Sequence, residues 1–153
     1  KTAVLSAAAA SIPAILVGAE EETVAALSQY GLDVGRAFQI QDDLLDLTTP
    51  TETLGKQRGS DLVEGKQTLI TVHARNQGVD VDNLVDADSV EAVTETEIDA
   101  ALDELETAGS IEFARERARG LVRSGKNHLN ALPDNEASDL LASVADYLIE
   151  REY

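Results

Sequence analysis

Cysteine, methionine and tryptophan are all missing from this chain of 153 residues. Without cysteine there is no disulfide framework, no thiolate metal site and no thiol nucleophile, which excludes small disulfide-built secreted scaffolds and zinc-finger classes. Positive charge is scarce as well: 12 Lys and Arg face 29 Asp and Glu, for a formal net charge of -17. Such a surface repels phosphate backbones and anionic lipid, so neither nucleic acid nor a membrane surface is an expected partner. Lysine is scarcest of all, confined to Lys1, Lys56, Lys66 and Lys126. An acid-rich, lysine-poor balance of this kind suits a molar-salt cytoplasm, where self-repulsion is screened. Long strongly hydrophobic runs are lacking too. The uncharged stretch from Thr2 to Ala19, preceded by Lys1, has the outline of a signal peptide or a short membrane span. Its content is mainly Ala with Ser6, Ser11 and Pro13, which supplies little transfer free energy. It reads instead as a helix buried in a bundle, where small residues admit a neighbouring backbone, and the chain reads as soluble and cytoplasmic.

What is present is globular: 43% hydrophobic and 27% charged residues, in a length that fits one domain. The periodicity is helical almost throughout, with no strand pattern and no repeat, so the expected fold is all-α, an antiparallel helical bundle. One helix is expected over 1–17, kinked at Pro13 and stopped by Gly18. A second runs from Glu20 to about Leu47, opened by Glu20, Glu21 and Glu22 at the positive end of its dipole. Gly31 and Gly35 inside it cost about 1 kcal/mol each against Ala, which points to close packing. Residues 48–66 read as a loop, followed by a shorter helix from Gln67 to Asn76. An acidic linker occupies about 78–95. Thr94 and Glu97 have capping-box spacing and open a helix to about Ala108. Gly109-Ser110 starts another helix, to Leu132, and Pro133-Asp134 opens the last, with Leu140, Leu141, Val144, Leu148 and Ile149 as its apolar stripe. The chain is thus expected to be a single helical domain or half-domain over 1–153, with the chemistry in 1–66 and the closing helices in 96–153.

Two constellations carry chemistry. In Gln41-Asp42-Asp43-Leu44-Leu45-Asp46 the spacing puts Asp42, Asp43 and Asp46 on one helix face. Like charges so placed repel unless a cation relieves them, and their neighbours are apolar. Carboxylates clustered on a largely buried helix suit Mg²⁺, which takes oxygen ligands, keeps several waters and bridges to a substrate phosphate. The second constellation is Gly55-Lys56-Gln57-Arg58-Gly59-Ser60-Asp61-Leu62-Val63-Glu64-Gly65-Lys66. Its glycines allow close approach to a ligand, and two of only four lysines sit here, directly after the acidic helix. Carboxylates for a divalent cation beside phosphate-seeking ammonium groups describe a site for a Mg²⁺-diphosphate ester.

Lys1-Thr2, then Phe38-Gln39-x-x-Asp42-Asp43-x-x-Asp46, then Gly55-Lys56-x-x-Gly59-x-Asp61-Leu62-x-x-Gly65-Lys66, resemble the C-terminal half of the trans-isoprenyl diphosphate synthases, the geranylgeranyl and farnesyl diphosphate synthase group. The resemblance covers essentially the whole chain. It implies a Mg²⁺-dependent prenyltransferase that condenses an allylic diphosphate head-to-tail with isopentenyl diphosphate, within an all-α homodimer. It further implies that Asp42, Asp43 and Asp46 ligate Mg²⁺ and that Lys1, Lys56 and Lys66 hold the allylic diphosphate. Thr2 and Gln39 would then direct oxygen dipoles at the developing carbocation, and Phe38 would wall the prenyl channel. His73 and His128 are expected to be ordinary helix residues.

The family carries two aspartate-rich motifs, and this sequence has only the second. The first, with the isopentenyl-binding basic residues and those that set chain length, belongs to an upstream half. That half of the same chain is therefore an expected partner, and half a site should not turn over alone. Two rivals stand beside this reading: a non-catalytic partner subunit that keeps the fold, and an acidic helical interaction module with its aspartates in solvent.

Overall fold

The computed structural model describes residues 2–55, 57–85 and 89–150. Among them every regular element is helical: α1 (Thr2–Leu16), α2 (Glu21–Thr48), α3 (Thr51–Leu54), α4 (Ser60–Val63), α5 (Leu69–Asn76), α6 (Glu95–Thr107), α7 (Ser110–His128) and α8 (Glu136–Glu150), with 3₁₀ turns at Val81–Asn83, Val90–Ala92 and Leu129–Ala131. The all-α expectation holds. Contacts gather into two compact units, one formed by the residues up to Gln39 with those from Arg117 on, the other by Ile40–Glu116. The divide falls inside α2 and inside α7.

In the first unit the two interior glycines of α2 do what their cost suggested. A Cβ on Gly31 would lie 2.5 Å from the Ser6 carbonyl oxygen and 2.7 Å from the Ala7 Cα. On Gly35 it would lie 2.7 Å from the Ala3 Cα. Ala3, Ser6 and Ala7 of α1 and the glycines of α2 thus bring two backbones close together, with only the small Ser6 side chain against Gly35. The α7 side of α2 repeats the device more loosely, a Cβ on Gly125 falling 3.0 Å from Val34. Around these contacts Leu27, Tyr30, Val34, Ala37, Leu121, Val122 and Ala145 are buried. Buried Asp33 accepts from Ser124 Oγ at 2.7 Å, with His128 Nε2 at 3.4 Å.

The opening helix departs from the sequence reading. Gly18 does stop it, in the left-handed region at φ 69°. Only Ser11 and Ala14 are buried, however, while Val4, Leu5, Ile12, Ile15 and Leu16 are exposed. A helix uncharged all round has apolar residues on every side, and α2 occupies only the side where α1 is smallest. The last helix also differs. It begins at Glu136, where Asn135 Oδ1 accepts from the amides of Ala137 and Ser138. The cap is therefore Asn135 rather than Pro133-Asp134. Leu140 and Val144 of the expected stripe are exposed, and Ala145 is the fully buried position. Helix α7 stops at His128 and the 3₁₀ turn follows, so Leu132 lies past both.

The second unit has a core of Leu44, Leu47, Ile70, Ala74, Val81, Leu105, Ile111 and Ala114. Helix α5 starts two residues later than Gln67, because Thr68 and Thr71 form a reciprocal cap. The predicted Thr94–Glu97 capping box is present at the start of α6. It lowers the Glu97 pKa, first through the Thr94 backbone amide and then its hydroxyl. The expected 48–66 loop contains two single turns of helix, α3 and α4, separated by a segment in which Gly55 and Gly59 both have positive φ.

Candidate functional site

The site residues are laid out by α2 and by the loop that leaves it. In the first unit Thr2, at the start of α1, donates from Oγ1 to Gln39 Oε1 at 3.1 Å. Two residues 37 apart in sequence, both assigned to one role, are thereby brought together. Phe38 beside Gln39 is half-buried. Lys1 lies outside the described residues, as does Lys56.

In the second unit the three aspartates do not share one environment. Asp42 is exposed, Asp43 half-buried and Asp46 only 1% exposed. Asp46 points inward because the lysine loop folds back on it. Gly59 N donates to the Asp46 carbonyl at 2.7 Å, satisfying one of the carbonyls that a helix end leaves open. Gly59 takes φ 72°, and a Cβ there would press on the Ile98 side chain, so the turn favours glycine. The next two residues reach the Asp46 carboxylate itself: Ser60 Oγ donates to Oδ1 at 2.9 Å and the Asp61 amide to Oδ2 at 3.0 Å. Both oxygens of the buried carboxylate thus accept a hydrogen bond from the loop, as a buried charge requires.

From there the loop leads directly to Lys66. Its amide donates to the Asp61 carbonyl at 2.9 Å. Its Nζ lies 2.5 Å from Asp61 Oδ1 and 3.0 Å from Glu64 Oε2. Those two carboxylates, Asp61 first, push the Lys66 pKa up and keep the ammonium charged. The side chain is still 52% exposed, so a stronger anion could draw it away. Lys66, Thr71 and Arg75 line a cavity of about 160 Å³.

Residue types and burial decide how a divalent cation would fit. Among the described residues no three His, Asp or Glu side chains converge as a ready metal cluster. Mg²⁺ needs only one or two carboxylates when waters and substrate phosphates complete its shell. Outward Asp42, with Asp43 next to it, fits that requirement. Asp46 fits it poorly, enclosed and already bonded through both oxygens to the loop. Of the three aspartates expected as ligands, Asp42 is thus exposed, Asp43 half-buried and Asp46 enclosed by the loop.

Sequence reasoning gave Ser60 and Arg58 no role. Arg58 is buried and bonded to Leu47, Glu95 and Asp99. A signal for it was available: Glu95 and Asp99, four apart on α6, repel unless a cation sits between them. The two histidines are ordinary in placement. His73 stacks on Phe113 at 4.2 Å and meets Ser110 Oγ at 3.0 Å through Nδ1.

Comparison with known proteins shows the family. The polyprenyl synthetase family model matches residues 1–105. The chain is 65% identical, over its whole length, to the geranylfarnesyl diphosphate synthase of Natronomonas pharaonis, 44% of which it covers. Its structure is similar to the geranylgeranyl pyrophosphate synthetase of Geoglobus acetivorans, with TM-score 0.85 at 38% identity, over 99% of this chain and 45% of that one. It is similar also to a polyprenyl synthase from Caulobacter crescentus complexed with calcium and isoprenyl diphosphate, with TM-score 0.82 at 30% identity, over 97% of this chain and 46% of that one. The chain belongs to the polyprenyl synthetase family. It spans a little under half the length of these relatives. No described helix is long and apolar enough to cross a membrane.

Proposed function

We propose that this chain is the C-terminal part of a prenyl diphosphate synthase, supplying the allylic-diphosphate side of its active site. The observation that carries this reading is the stitching of a lysine-bearing loop onto an aspartate-bearing helix end, with Asp46 accepting from Ser60 and Asp61. Asp42 and Asp43 would hold Mg²⁺ while Lys56 and Lys66, with Lys1, bind the diphosphate oxygens. When bound, the metal supplies positive charge that stabilises a departing diphosphate. In the reaction the allylic C–O bond breaks and its electron pair leaves with the diphosphate. The isopentenyl double bond then attacks the allylic carbon, and the departed diphosphate takes the proton whose loss restores an alkene. This chain's task is to place fixed charge at the leaving group, which needs no activated nucleophile. The Thr2–Gln39 pair would direct oxygen dipoles at the cation, and Phe38 would border the prenyl chain.

The isopentenyl-binding residues and the first aspartate motif would come from an upstream half of the same chain, in a homodimer. The length of the relatives supports a further stretch of chain, and the exposed apolar side of α1 is a surface that an additional helix would cover. Product length would be set in that half.

Thermal unfolding of this chain with Mg²⁺ and inorganic diphosphate tests the reading. Binding to the folded state alone adds about 2.7 kcal/mol at ligand about 100-fold above its dissociation constant. A rise in Tm needing both components, and lost in Asp42→Ala, is expected. No shift at any concentration overturns the reading in favour of an acidic interaction module. In the longer enzyme, Asp42→Ala is expected to cut kcat by orders of magnitude with helicity retained.

A further inference from the structure

Arg58 is a buried cation that the proposed chemistry leaves unused. It is 8% exposed, although arginine is almost never so buried without partners. Its Nε donates to the Leu47 carbonyl at 2.5 Å, one residue past Asp46. Nη1 reaches Asp99 Oδ1 at 2.7 Å and Glu95 Oε2 at 3.2 Å, both on α6. Its own amide donates to Thr51 Oγ1 at 3.1 Å, and that hydroxyl donates to Glu95 Oε1 at 2.5 Å. Backbone and side chain of one residue thereby close a ring through the end of α2, the start of α3 and the first turns of α6.

The residues immediately after Arg58 give the ring its meaning. Gly59, Ser60 and Asp61 supply the three bonds to Asp46, and Asp61 then holds both the amide and the ammonium of Lys66. Arg58 is therefore the point where the loop is fixed before it passes under the aspartates. We infer that Arg58 is a positioning residue for diphosphate capture: clamped by Glu95 and Asp99, it sets the register of residues 59–66 and so presents Lys66 ready to receive the anion. The inference rests on the proposed diphosphate-binding role of this loop. A loop ordered before its ligand arrives avoids the ordering cost at binding. Lysine would serve less well, because the acceptors lie in different directions and a planar fork of donors meets them together. Asp99 is 64% exposed on its side chain, so its share of the clamp is open to screening, whereas the Leu47 bond is buried.

Calorimetric titration of Mg²⁺ and inorganic diphosphate into this chain, in molar salt, decides the matter. Each variant is used at a temperature where circular dichroism shows full helicity, and amide exchange is followed by NMR. For Arg58→Ala the diphosphate Kd is expected to rise at least tenfold, and the amides of Gly59, Asp61 and Lys66 to exchange faster. Those of Leu121 and Val122 in the other unit should be unmoved. Arg58→Lys should recover part of the affinity. Glu95→Gln with Asp99→Asn should weaken binding in the same direction, which serves if Arg58→Ala does not fold. A brace with no part in capture predicts lower thermal stability with wild-type affinity in every folded variant, and that result overturns the inference. Absence of diphosphate binding by the wild-type chain overturns the proposed function instead, and this inference with it.

Discussion

A single phenol shows how burial becomes a pH effect in this chain. Tyr30 donates to the Leu141 carbonyl at 2.7 Å. Burial first, and the nearby Asp146 charge second, raise its pKa above 10.0. A raised folded-state pKa means that the contribution is complete below the unfolded value and is lost as pH climbs through the folded one. Urea denaturation between about pH 8 and about pH 11.5 should therefore show stability falling above about pH 10, with a shallower fall in Tyr30→Phe. At about pH 8 that variant should be less stable by about 1 kcal/mol, the worth of one hydrogen bond. An alkaline limb of equal slope in both proteins would remove Tyr30 as its source. At this scale the sequence was legible for residue types but not for their partners. Asp42 and Asp46 are identical letters one turn apart, yet only the return of Gly59, fixed by its positive φ, turns one of them into an anchor.

Helices were the most legible level, since apolar period, caps and breakers are local. The Thr94–Glu97 box and the Gly18 stop fall where the letters put them. The errors came where tertiary contact decides. Leu140 and Val144 belong to the apolar period of α8, but Ala145 is the residue that enters the core. Glycine in a helix illustrates the difference well, because equal propensity conceals opposite surroundings. A Cβ on Gly31 would lie 2.5 Å from the α1 backbone, whereas the nearest atom to a Cβ on Gly120 in α7 is the end of the Arg123 side chain at 3.9 Å. Gly31→Ala is thus expected to cost about 1–3 kcal/mol through overpacking. Gly120→Ala should gain up to about 1 kcal/mol from helix propensity. Chemical denaturation midpoints of the two variants check the pair, and a Gly31→Ala protein as stable as wild type would refute the close α1–α2 contact.

Over the whole molecule the dominant quantity is the net charge of -17. Screening shortens the reach of that repulsion from about 10 Å at 0.1 M salt to about 3 Å at 1 M. Dialysis from molar salt into dilute buffer is accordingly expected to lower Tm steeply and to unfold the chain, as followed by helicity. Undiminished helicity in dilute buffer would remove the salt-adapted reading of its composition. Surface ion pairs such as Arg115–Glu112, both open to solvent, will weaken as salt returns. The anchor at Asp46 obeys a different rule. Its bonds to Ser60 and Asp61 span a single hydrogen-bond length at a site with 1% exposure, where no counterion enters. While the chain stays folded, added salt retunes the reach of its outer charges and leaves the bonds that set the spacing between aspartate helix and lysine loop untouched.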